Sequence, residues 1–197
     1  MASHRTVVLR TDRLLVRTAA TDDVDLFYAL WNDPRVMANV GFPHGLRATR
    51  EDIRNRLAKQ TGRVVDQLLV VELRGTGKRI GECHLHSADD EGIAEADVKL
   101  LPAFWGRGYG TEIWKALVDY EFTHTDCDVV QGTPNVKNTA SIRMQESAGA
   151  VRVGEGVFHF PESERDHTTP VHHYVYQVHR SDWERRRAVD QPRARTS

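Results

Sequence analysis

The 197-residue sequence has few cysteines and no long apolar run, and each absence excludes a class of protein. Its two cysteines, Cys83 and Cys127, are too few for a disulfide framework and lack the spacing of metal ligands, so we expect ordinary buried thiols in a reducing compartment. No segment approaches the roughly 18 apolar residues of a membrane span, and the opening MASHRTVVLR lacks the apolar stretch of a secretory signal. We therefore expect a cytoplasmic protein with no membrane partner.

An excess of charge of one sign is also lacking. The chain carries 27 basic and 28 acidic side chains, which leave a formal net charge of -1. Such a balance produces no overall field that would attract nucleic acid, so we expect no nucleic-acid partner. The length and the hydrophobic content of 40% are sufficient for one core. We predict one domain over residues 1–180, and over residues 181–197 a short helix followed by a disordered tail that has almost nothing to bury.

Short alternating or apolar segments, typical of strands, are interspersed with segments that have apolar residues at helical spacing. Thr21 is expected to cap the first helix, and Thr49 and Asp52 are expected to form a capping box for the second. In chain order the patterns predict β, α, α, β, β, β, α, β, α, β and β. The predicted fold class is therefore α/β, with a mixed sheet flanked by about four helices.

Residues 101–117, LPAFWGRGYGTEIWKAL, place three glycines immediately before a predicted helix. Glycine leaves the backbone N–H groups from about Gly106 to Thr111 uncovered, at the positive end of the helix dipole where anions bind. Arg107 adds a fork of donors suited to phosphate. We refer to residues 105–111 as the glycine turn. Its composition favours a pyrophosphate ligand, and the alternative is a turn that only requires positive φ angles.

Two other glycine-rich ligand loops do not match this spacing. A dinucleotide fingerprint requires G-x-G-x-x-G, whereas Gly106, Gly108 and Gly110 are spaced G-x-G-x-G. A nucleotide P-loop ends in G-K-S or G-K-T, whereas Gly110 is followed by Thr111 and Glu112. Neither a nicotinamide site nor an ATP site is therefore predicted.

Two predicted neighbouring strands, within GECHLH and EADVK, carry polar residues at alternate positions, which places them on one face of the sheet. A sheet face covered by helices does not carry such residues unless it borders water or a wet pocket. We interpret this polar row as the floor of a binding cleft, and the alternative is an edge exposed to water. The polar row consists of Glu82, His84, His86, Glu95, Asp97 and Lys99.

Several segments together resemble the GCN5-related N-acetyltransferases, the GNAT superfamily. They are AEADVKLLP, FWGRGYGTE and NVKNTASIRMQESAGA, and the opening TDRLLVRTAATDDVDLFYALWNDPRV is similar to the start of the ribosomal-protein alanine acetyltransferases, the RimJ/RimL-like branch. The resemblance spans roughly Thr11 to Gln177. The family motif R/Q-x-x-G-x-G/A corresponds here to WGRGYG, with Trp105 at its first position, a variation common in this branch.

The resemblance implies a single-domain fold whose mostly antiparallel central sheet has splayed central strands that form a cleft for acetyl-CoA. It implies that Asn138 contacts the pantetheine or the phosphates, with Ser141 one turn along on the same helix face. The backbone at Val98 and Leu100 is expected to polarise the acetyl carbonyl. The residues implied to hold the pyrophosphate are Trp105, Gly106, Arg107, Gly108, Tyr109, Gly110 and Thr111.

The implied reaction transfers an acetyl group from acetyl-CoA to a primary amine of a protein N-terminus or a small molecule, by direct attack in a ternary complex. The attacking amine must lose a proton, so a base is expected, with Glu95 as the first candidate and Glu82 as the second. Many relatives place a tyrosine acid at the position of Gln145, and Ser141 is the acid proposed in the RimJ/RimL-like branch. The expected acceptor contacts are His84, His86, Asp97 and Phe42.

The function and the oligomeric state stay open at this point, whereas a metal is not expected. Gln145 and Trp105 depart from the usual family residues, which leaves a catalytically silent acyl-CoA sensor as the alternative function. Adjacent histidines such as His172 and His173 point to opposite faces of a strand, and no Cys or acid cluster has ligand spacing, so we expect no metal. A late strand at a sheet edge would be able to pair with a second copy of the chain, so a homodimer is undecided.

Overall fold

The computed structural model describes residues 5–190, which form an eight-stranded sheet in the order β1-β2-β3-β4-β5-β6-β8-β7. All neighbouring strands are antiparallel except β5 and β6, which are parallel. The strands are β1 (Val7–Arg10), β2 (Leu14–Thr18), β3 (Leu68–Leu73), β4 (Arg79–Leu85), β5 (Ile93–Leu100), β6 (Val129–Gly132), β7 (Val151–Phe158) and β8 (Val171–His179). The helices are α1 (Val24–Trp31), α2 (Pro34–Met37), α3 (Arg50–Ala58), α4 (Tyr109–His124), α5 (Thr139–Ser147) and α6 (Arg180–Asp190).

Helices cover both faces of the sheet. On one face, Leu68 and Val70 pack with the buried residues of α1 and α3, and we call it the α1 face. On the other face, Leu69 and Val71 pack with the buried residues of α4, and we call it the α4 face. The predicted mixed sheet flanked by helices is confirmed. The described residues form six helices because the four-residue α2 and the terminal α6 add to the four long ones.

Local sequence determines the start of α3, whereas contacts with strand β2 determine the start of α1. Thr49 accepts a hydrogen bond from the Asp52 amide, and the Asp52 carboxylate accepts one from the Thr49 amide, so the predicted capping box is confirmed. The prediction that Thr21 caps the first helix is wrong. Thr21 lies within a short 3-10 helix, and the buried carboxylate of Asp23 takes the Ala20 amide instead.

A buried cation holds the Asp23 carboxylate in place. The Arg17 guanidinium contacts both carboxylate oxygens of Asp23 at 2.7 Å, and Glu72 accepts a further bond from Arg17. Burial of this carboxyl disfavours its charged form, but the bonds from Arg17 and the Ala20 amide hold the pKa of Asp23 below its ordinary value. The ion pair ties strand β2 to the start of α1.

The central strands β5 and β6 separate after a short parallel contact. Their register runs from Ile93 opposite Val129 to Glu95 opposite Gln131. Strand β5 then continues to Leu100, whereas β6 ends at Gly132. A gap therefore opens in the sheet beyond Glu95, which is the splay expected of the two central strands.

The chain end is partly described. Helix α6 (Arg180–Asp190) lies where a short helix is predicted, and its Trp183 indole donates to Asp119 on α4 over 2.5 Å. The predicted disordered tail, residues 191–197, lies outside the described residues.

Within residues 5–190, no helix has the length and apolar character needed to cross a membrane. Cys83 and Cys127 are both buried and unpaired, as expected.

Candidate functional site

The glycine turn has the backbone conformation that its sequence predicts. Gly106 and Gly108 have φ angles of 71° and 75°, in the left-handed region that glycine adopts without strain. Gly108 is the residue immediately before α4, and a Cβ added at Gly106 would meet no atom within 4 Å. In the described part of the chain, the backbone N–H groups of residues 106–111 meet no acceptor. They form an uncovered row of donors at the positive end of a 16-residue helix.

The glycine turn is anchored to the hairpin formed by β1 and β2. The Arg13 guanidinium bonds the Glu112 carboxylate in the first turn of α4, and it donates to the Arg107 carbonyl over 3.0 Å. The same guanidinium lies 4.6 Å from the centre of the Tyr109 ring. Sequence reasoning missed Arg13 because 94 residues separate it from Arg107. No local pattern signals a contact of that range.

Trp105 occupies the first position of the glycine turn, where the family motif has Arg or Gln. Its indole N–H donates to the Leu100 carbonyl over 2.7 Å. This bond ties the turn to the end of β5. The ring is 45% exposed, so one face of it is available to a ligand at the turn.

The backbone of β5 presents alternate residues to the gap in the sheet. The Glu95 carbonyl accepts from the His86 amide and the Leu101 amide donates to Ile80, so odd-numbered residues of β5 bond towards β4. Alternation then directs the N–H and C=O groups of Val98 and Leu100 away from β4. On that side β6 has already ended, so these groups border the gap.

Helix α5 runs beside the start of α4. Asn138 is the residue immediately before α5, and its carboxamide oxygen accepts from the Ser141 amide over 3.1 Å. Met144 lies one turn beyond Ser141, and its sulfur would be 3.1 Å from a Cβ at Gly110. Ser141 and the glycine turn are therefore neighbours. A side-chain oxygen engaged in capping leaves the Asn138 NH₂ group as its remaining polar group for a ligand.

Gln145 lies under the last residue of β6. Its carboxamide is so close to Gly132 that a Cβ there would be 2.6 Å from the side-chain oxygen. The side chain is 2% exposed, and its oxygen meets no donor among the described residues. A buried amide whose oxygen is unpaired therefore lies at the point where β5 and β6 separate, on the α4 face.

The polar row lies on the α1 face, and cross-strand pairing joins its members. Glu82 is opposite Lys99, and His84 is opposite Asp97. Lys99 Nζ lies 3.5 Å from the Glu82 carboxylate, and His86 Nε2 lies 3.7 Å from Asp97. The row is buried at Glu82, which is 4% exposed, and it opens to solvent at Glu95. It is thus a floor that runs from a covered end to an open end.

Burial and neighbouring charges together shift the pKa values of the side chains in the polar row. Desolvation lowers the pKa of Lys99, but Glu82 and Asp97 outweigh it and raise the pKa above its ordinary value. Desolvation raises the pKa of Asp97, but Lys99 and His86 prevail and hold it well below the usual range. The neighbouring Asp97 carboxylate raises the pKa of His86. Burial, together with His86, lowers the pKa of His84 to about 4, so this imidazole is neutral at neutral pH.

Two polar atoms of the floor lack partners among the described residues. Glu82 accepts through Oε1 from the Trp31 indole over 3.0 Å, while its buried Oε2 has no donor. Nε2 of His84 is also buried without a partner. The unpaired Glu82 carboxylate oxygen suits a ligand that brings an N–H group, and Nε2 of His84 offers a second polar atom that donates or accepts according to its tautomer.

At the open end, Glu95 continues into a row of amides that sequence reasoning missed. Gln131 donates to the Glu95 carboxylate over 2.9 Å, and Gln177 donates to Gln131 over 2.8 Å. The three side chains cross β5, β6 and β8 on the α1 face. Only the strand order brings them together, so no spacing in the sequence signals this row.

A cover of two loops lies over the α1 face near the gap. Phe42 contacts Phe160 edge to face, with ring centres 5.2 Å apart. The Thr169 amide donates to the Gly41 carbonyl over 2.8 Å, and Asn135 donates to Asn39 over 3.3 Å. The segment after α2 and the loop between β7 and β8 are thus joined. Phe42, expected from the sequence at the acceptor site, is part of this cover.

The geometry combines a helix start with uncovered backbone amides, a gap bordered by backbone groups and a row of polar side chains. Within residues 5–190, no group of three or more His, Cys, Asp or Glu side chains is placed to hold a metal ion.

Comparison with known proteins gives matches of sequence and of structure. A family model described as "Acetyltransferase (GNAT) domain" matches residues 13–151. The chain is 30% identical over 144 residues to YkkB of Bacillus subtilis. The matched region covers 72% of this chain and 83% of that protein.

Three solved structures are similar in fold. A GNAT-family acetyltransferase from Bacillus anthracis matches with a TM-score of 0.72 and 25% identity, over 88% of this chain and 98% of the other. Aminoglycoside acetyltransferase AAC(6')-Ib in complex with coenzyme A matches with a TM-score of 0.68 and 22% identity, over 88% of this chain and 99% of the other. Ribosomal-protein-S5-alanine acetyltransferase from Vibrio fischeri matches with a TM-score of 0.72 and 16% identity, over 90% of this chain and 99% of the other. At such identities the last two are similar in fold alone.

Proposed function

Since the chain belongs to the GNAT acetyltransferase family, whose general activity is acetylation with acetyl-CoA, we propose that it transfers the acetyl group to a primary amine by direct attack in a ternary complex. One observation carries this proposal: the uncovered amides of residues 106–111 adjoin a gap bordered by backbone groups of β5 and by a polar floor. An anionic carrier and an amine acceptor would thus be held on two sides of one opening.

The glycine turn fits the pyrophosphate of acetyl-CoA. Its unpartnered N–H groups supply donors without any side-chain movement, and Arg107 adds charge. The N–H and C=O groups of Val98 and the N–H group of Leu100 would bond the extended pantetheine as an added strand does, while the Leu100 carbonyl already accepts from Trp105. Asn138 would contribute its side-chain NH₂ from the start of α5. Acetyl-CoA supplies an activated thioester, and the chain supplies binding, orientation and proton transfer.

The polar row would receive the acceptor amine. The attacking amine must lose a proton, and Glu95 is our first candidate for the base because its exposed carboxylate can pass the proton on to solvent. Gln131 engages one of its oxygens and orients the group. Glu82 is the second candidate because its Oε2 is unpaired and buried. His84, His86, Asp97 and Phe42 would contact the rest of the acceptor.

Departure of the thiolate has two candidate helpers on α5. We assign the acid role to Ser141, which neighbours the glycine turn through Met144 and Gly110. Gln145 cannot act as an acid, because a carboxamide does not ionise in the accessible pH range. Its N–H would still donate a hydrogen bond to sulfur. Much of the rate would then come from orientation of the two reactants.

For the acceptor, we propose an amine of the RimJ/RimL-like type, a protein N-terminus, with a small-molecule amine as the competing class. The opening segment of the chain, similar to that branch, supports the first class. The presence of Gln145 in place of a tyrosine acid supports a second function, an acyl-CoA sensor without turnover. Both functions require the same glycine turn.

One experiment separates these proposals. The thermal stability of the protein is measured in titrations with CoA and acetyl-CoA, and thiol release is then followed with peptides bearing free N-termini, with polyamines and with aminoglycosides. We expect a saturable rise in melting temperature with both ligands and thiol release with one amine class. Stabilisation without release by any amine would favour the sensor. A melting temperature unchanged by either ligand would contradict the binding role of the glycine turn.

A further inference from the structure

Exposed apolar residues are concentrated on one strand. Within residues 5–190, seven large hydrophobic side chains are exposed, and four of them belong to β7. These four are Val151, Val153, Val157 and Phe158, each between 49% and 62% exposed. Single exposed apolar residues are common on protein surfaces. Four on one strand, with the adjacent Val157 and Phe158 on opposite faces, show that neither face of β7 is fully covered.

Strand β7 is also a terminal strand of the sheet, next to β8 alone. The amide of Val136 donates to His172, and the amide of Tyr174 donates to Pro134, so His172 and Tyr174 bond away from β7. Their partners in the register are Val157 and Glu155. In an antiparallel pair, residues opposite each other bond either towards or away from each other together. The N–H and C=O groups of Glu155 and Val157 therefore point outwards, where a further strand would bond them.

The usual protections of an edge strand are weak in β7. Its eight residues include no proline and no lysine. Its two charged residues, Arg152 and Glu155, neutralise each other across 2.7 Å. A bulge between Arg152 and Gly154 disturbs only its first half. The second half, residues 154–158, is a regular and uncharged edge apart from Glu155.

We propose that β7 pairs antiparallel with β7 of a second copy of this chain, and that the two-fold axis passes beside Gly156. In this register Glu155 and Val157 of each copy exchange their outward hydrogen bonds, and Gly156 lies opposite Gly156. A register centred on Glu155 would oppose two carboxylates, which is unfavourable. A register centred on Val157 would pair fewer residues because β7 ends at Phe158.

The glycines favour a second copy over an unrelated partner because they complement the strand's own aromatic residue. In the register centred on Gly156, Phe158 lies opposite Gly154 of the other copy. A Cβ at Gly154 would meet only Val175, at 4.0 Å, so the space above this residue is open. Pairing an aromatic ring with a glycine across two strands covers exposed backbone. The net charge of -1 also leaves little repulsion between copies.

The interface would act on the acceptor side of the molecule. Phe158 contacts Phe160 edge to face at 4.9 Å, and Phe160 contacts Phe42 at 5.2 Å. These rings connect the edge of the sheet to the cover over the α1 face. Dimer formation would therefore order the cover through Phe158. This proposal does not depend on the acceptor or on catalysis.

The first test measures the mass of the protein by light scattering and by sedimentation over a wide concentration range. We expect a dimer for the natural sequence, and a dissociation constant at least about tenfold higher for Val157→Lys, because a lysine on an edge opposes pairing. The matched control is Val7→Lys on β1, the opposite edge, where Val7 is 43% exposed. A monomer at all concentrations, a dimer insensitive to Val157→Lys, or equal loss in the control would overturn the proposal.

The second test reports the register and does not require loss of pairing. Residues in a non-hydrogen-bonded pair have Cα atoms about 4.5 Å apart, within the range that a disulfide bridges. Gly156→Cys should therefore form a covalent dimer on mild oxidation. Gly154→Cys, whose register partner is Phe158, should not. The two natural cysteines are buried and do not compete. Absence of a cross-link at 156, or equal cross-linking at 154, would contradict the register.

Discussion

The indole N–H of Trp31 donates a 3.0 Å hydrogen bond to the Glu82 carboxylate, and this contact joins α1 to the floor of the cleft. Lys99 approaches the same oxygen at 3.5 Å. The buried end of the polar row is therefore a fixed structural unit, whereas its open end at Glu95 is held by neutral amides. The two carboxylates proposed as bases thus have different environments and should respond differently to substitution.

Glu95→Gln removes the proposed base but keeps the size of the side chain. We expect kcat to fall by roughly 10²- to 10⁴-fold, the range of general-base contributions, with affinity for CoA unchanged. The measurement is steady-state thiol release together with CoA binding by calorimetry. Glu91→Gln, an exposed carboxylate in the turn before β5, is the control and should leave kcat unchanged. Natural activity in Glu95→Gln would remove Glu95 from the mechanism.

Glu82→Gln removes the ion-pair partner of the half-buried Lys99 and leaves Asp97 as its anionic neighbour. We expect loss of stability by about 1 to 3 kcal/mol, the range for a buried group that loses one hydrogen-bonding or charged partner. The pKa of Lys99 should fall, because Glu82 raises it more than Asp97 does. Chemical denaturation measures the first effect. Unchanged stability with a large loss of kcat would instead indicate that Glu82, not Glu95, is the base.

Gly106→Ala tests the glycine turn against a control that has the same backbone strain. Gly106 and Gly77 have φ angles of 71° and 67°, and neither has an atom within 4 Å of an added Cβ. Each alanine variant should lose about 1 to 2 kcal/mol of stability, the cost of a left-handed conformation. Only Gly106→Ala should weaken CoA binding, by roughly tenfold, because its methyl group covers the donor row. Equal CoA affinity in the two variants would argue against pyrophosphate at this turn.

Ser141→Ala removes the proposed acid for the leaving thiolate. We expect kcat to fall by roughly 10- to 100-fold, somewhat less than a full acid contribution because a thiolate leaves readily. The fall should be larger at high pH, where solvent supplies fewer protons. Ser147→Ala, an exposed hydroxyl at the other end of α5, is the control. A loss of kcat that is the same at every pH would assign Ser141 a role in binding instead.

The pKa values of His84 and His86 should be shifted in opposite directions from the ordinary value of about 6.5. Proton NMR should give His84 a pKa near 4 and His86 a raised value. Stability from His84 is present above its unfolded pKa and is lost as pH falls from there towards 4. Stability from His86 is present below its unfolded pKa and is lost as pH rises through its raised folded value. Asp97→Asn should lower the pKa of His86, since the Asp97 carboxylate is the main cause of its rise; an unchanged titration would refute the pairing.

Local sequence determined the elements and the glycine turn. Alternation located the strands and the shared face of the polar row, since the side-chain period of a strand does not depend on its neighbours. The Thr49 and Asp52 capping box involves residues three apart, so the sequence contained it completely. The conformations of Gly106 and Gly108 followed in the same way from glycine's access to positive φ.

Tertiary structure alone decided the contacts between distant segments. At the start of the first helix, the Asp23 carboxylate makes no cap bond and is instead held by Arg17, which is buried on β2. Arg13 reaches the glycine turn, and Gln131 and Gln177 reach Glu95, only because the strand order places them side by side. Propensity and periodicity describe interactions within a few residues, whereas the packing of the sheet determines which distant polar groups share a site.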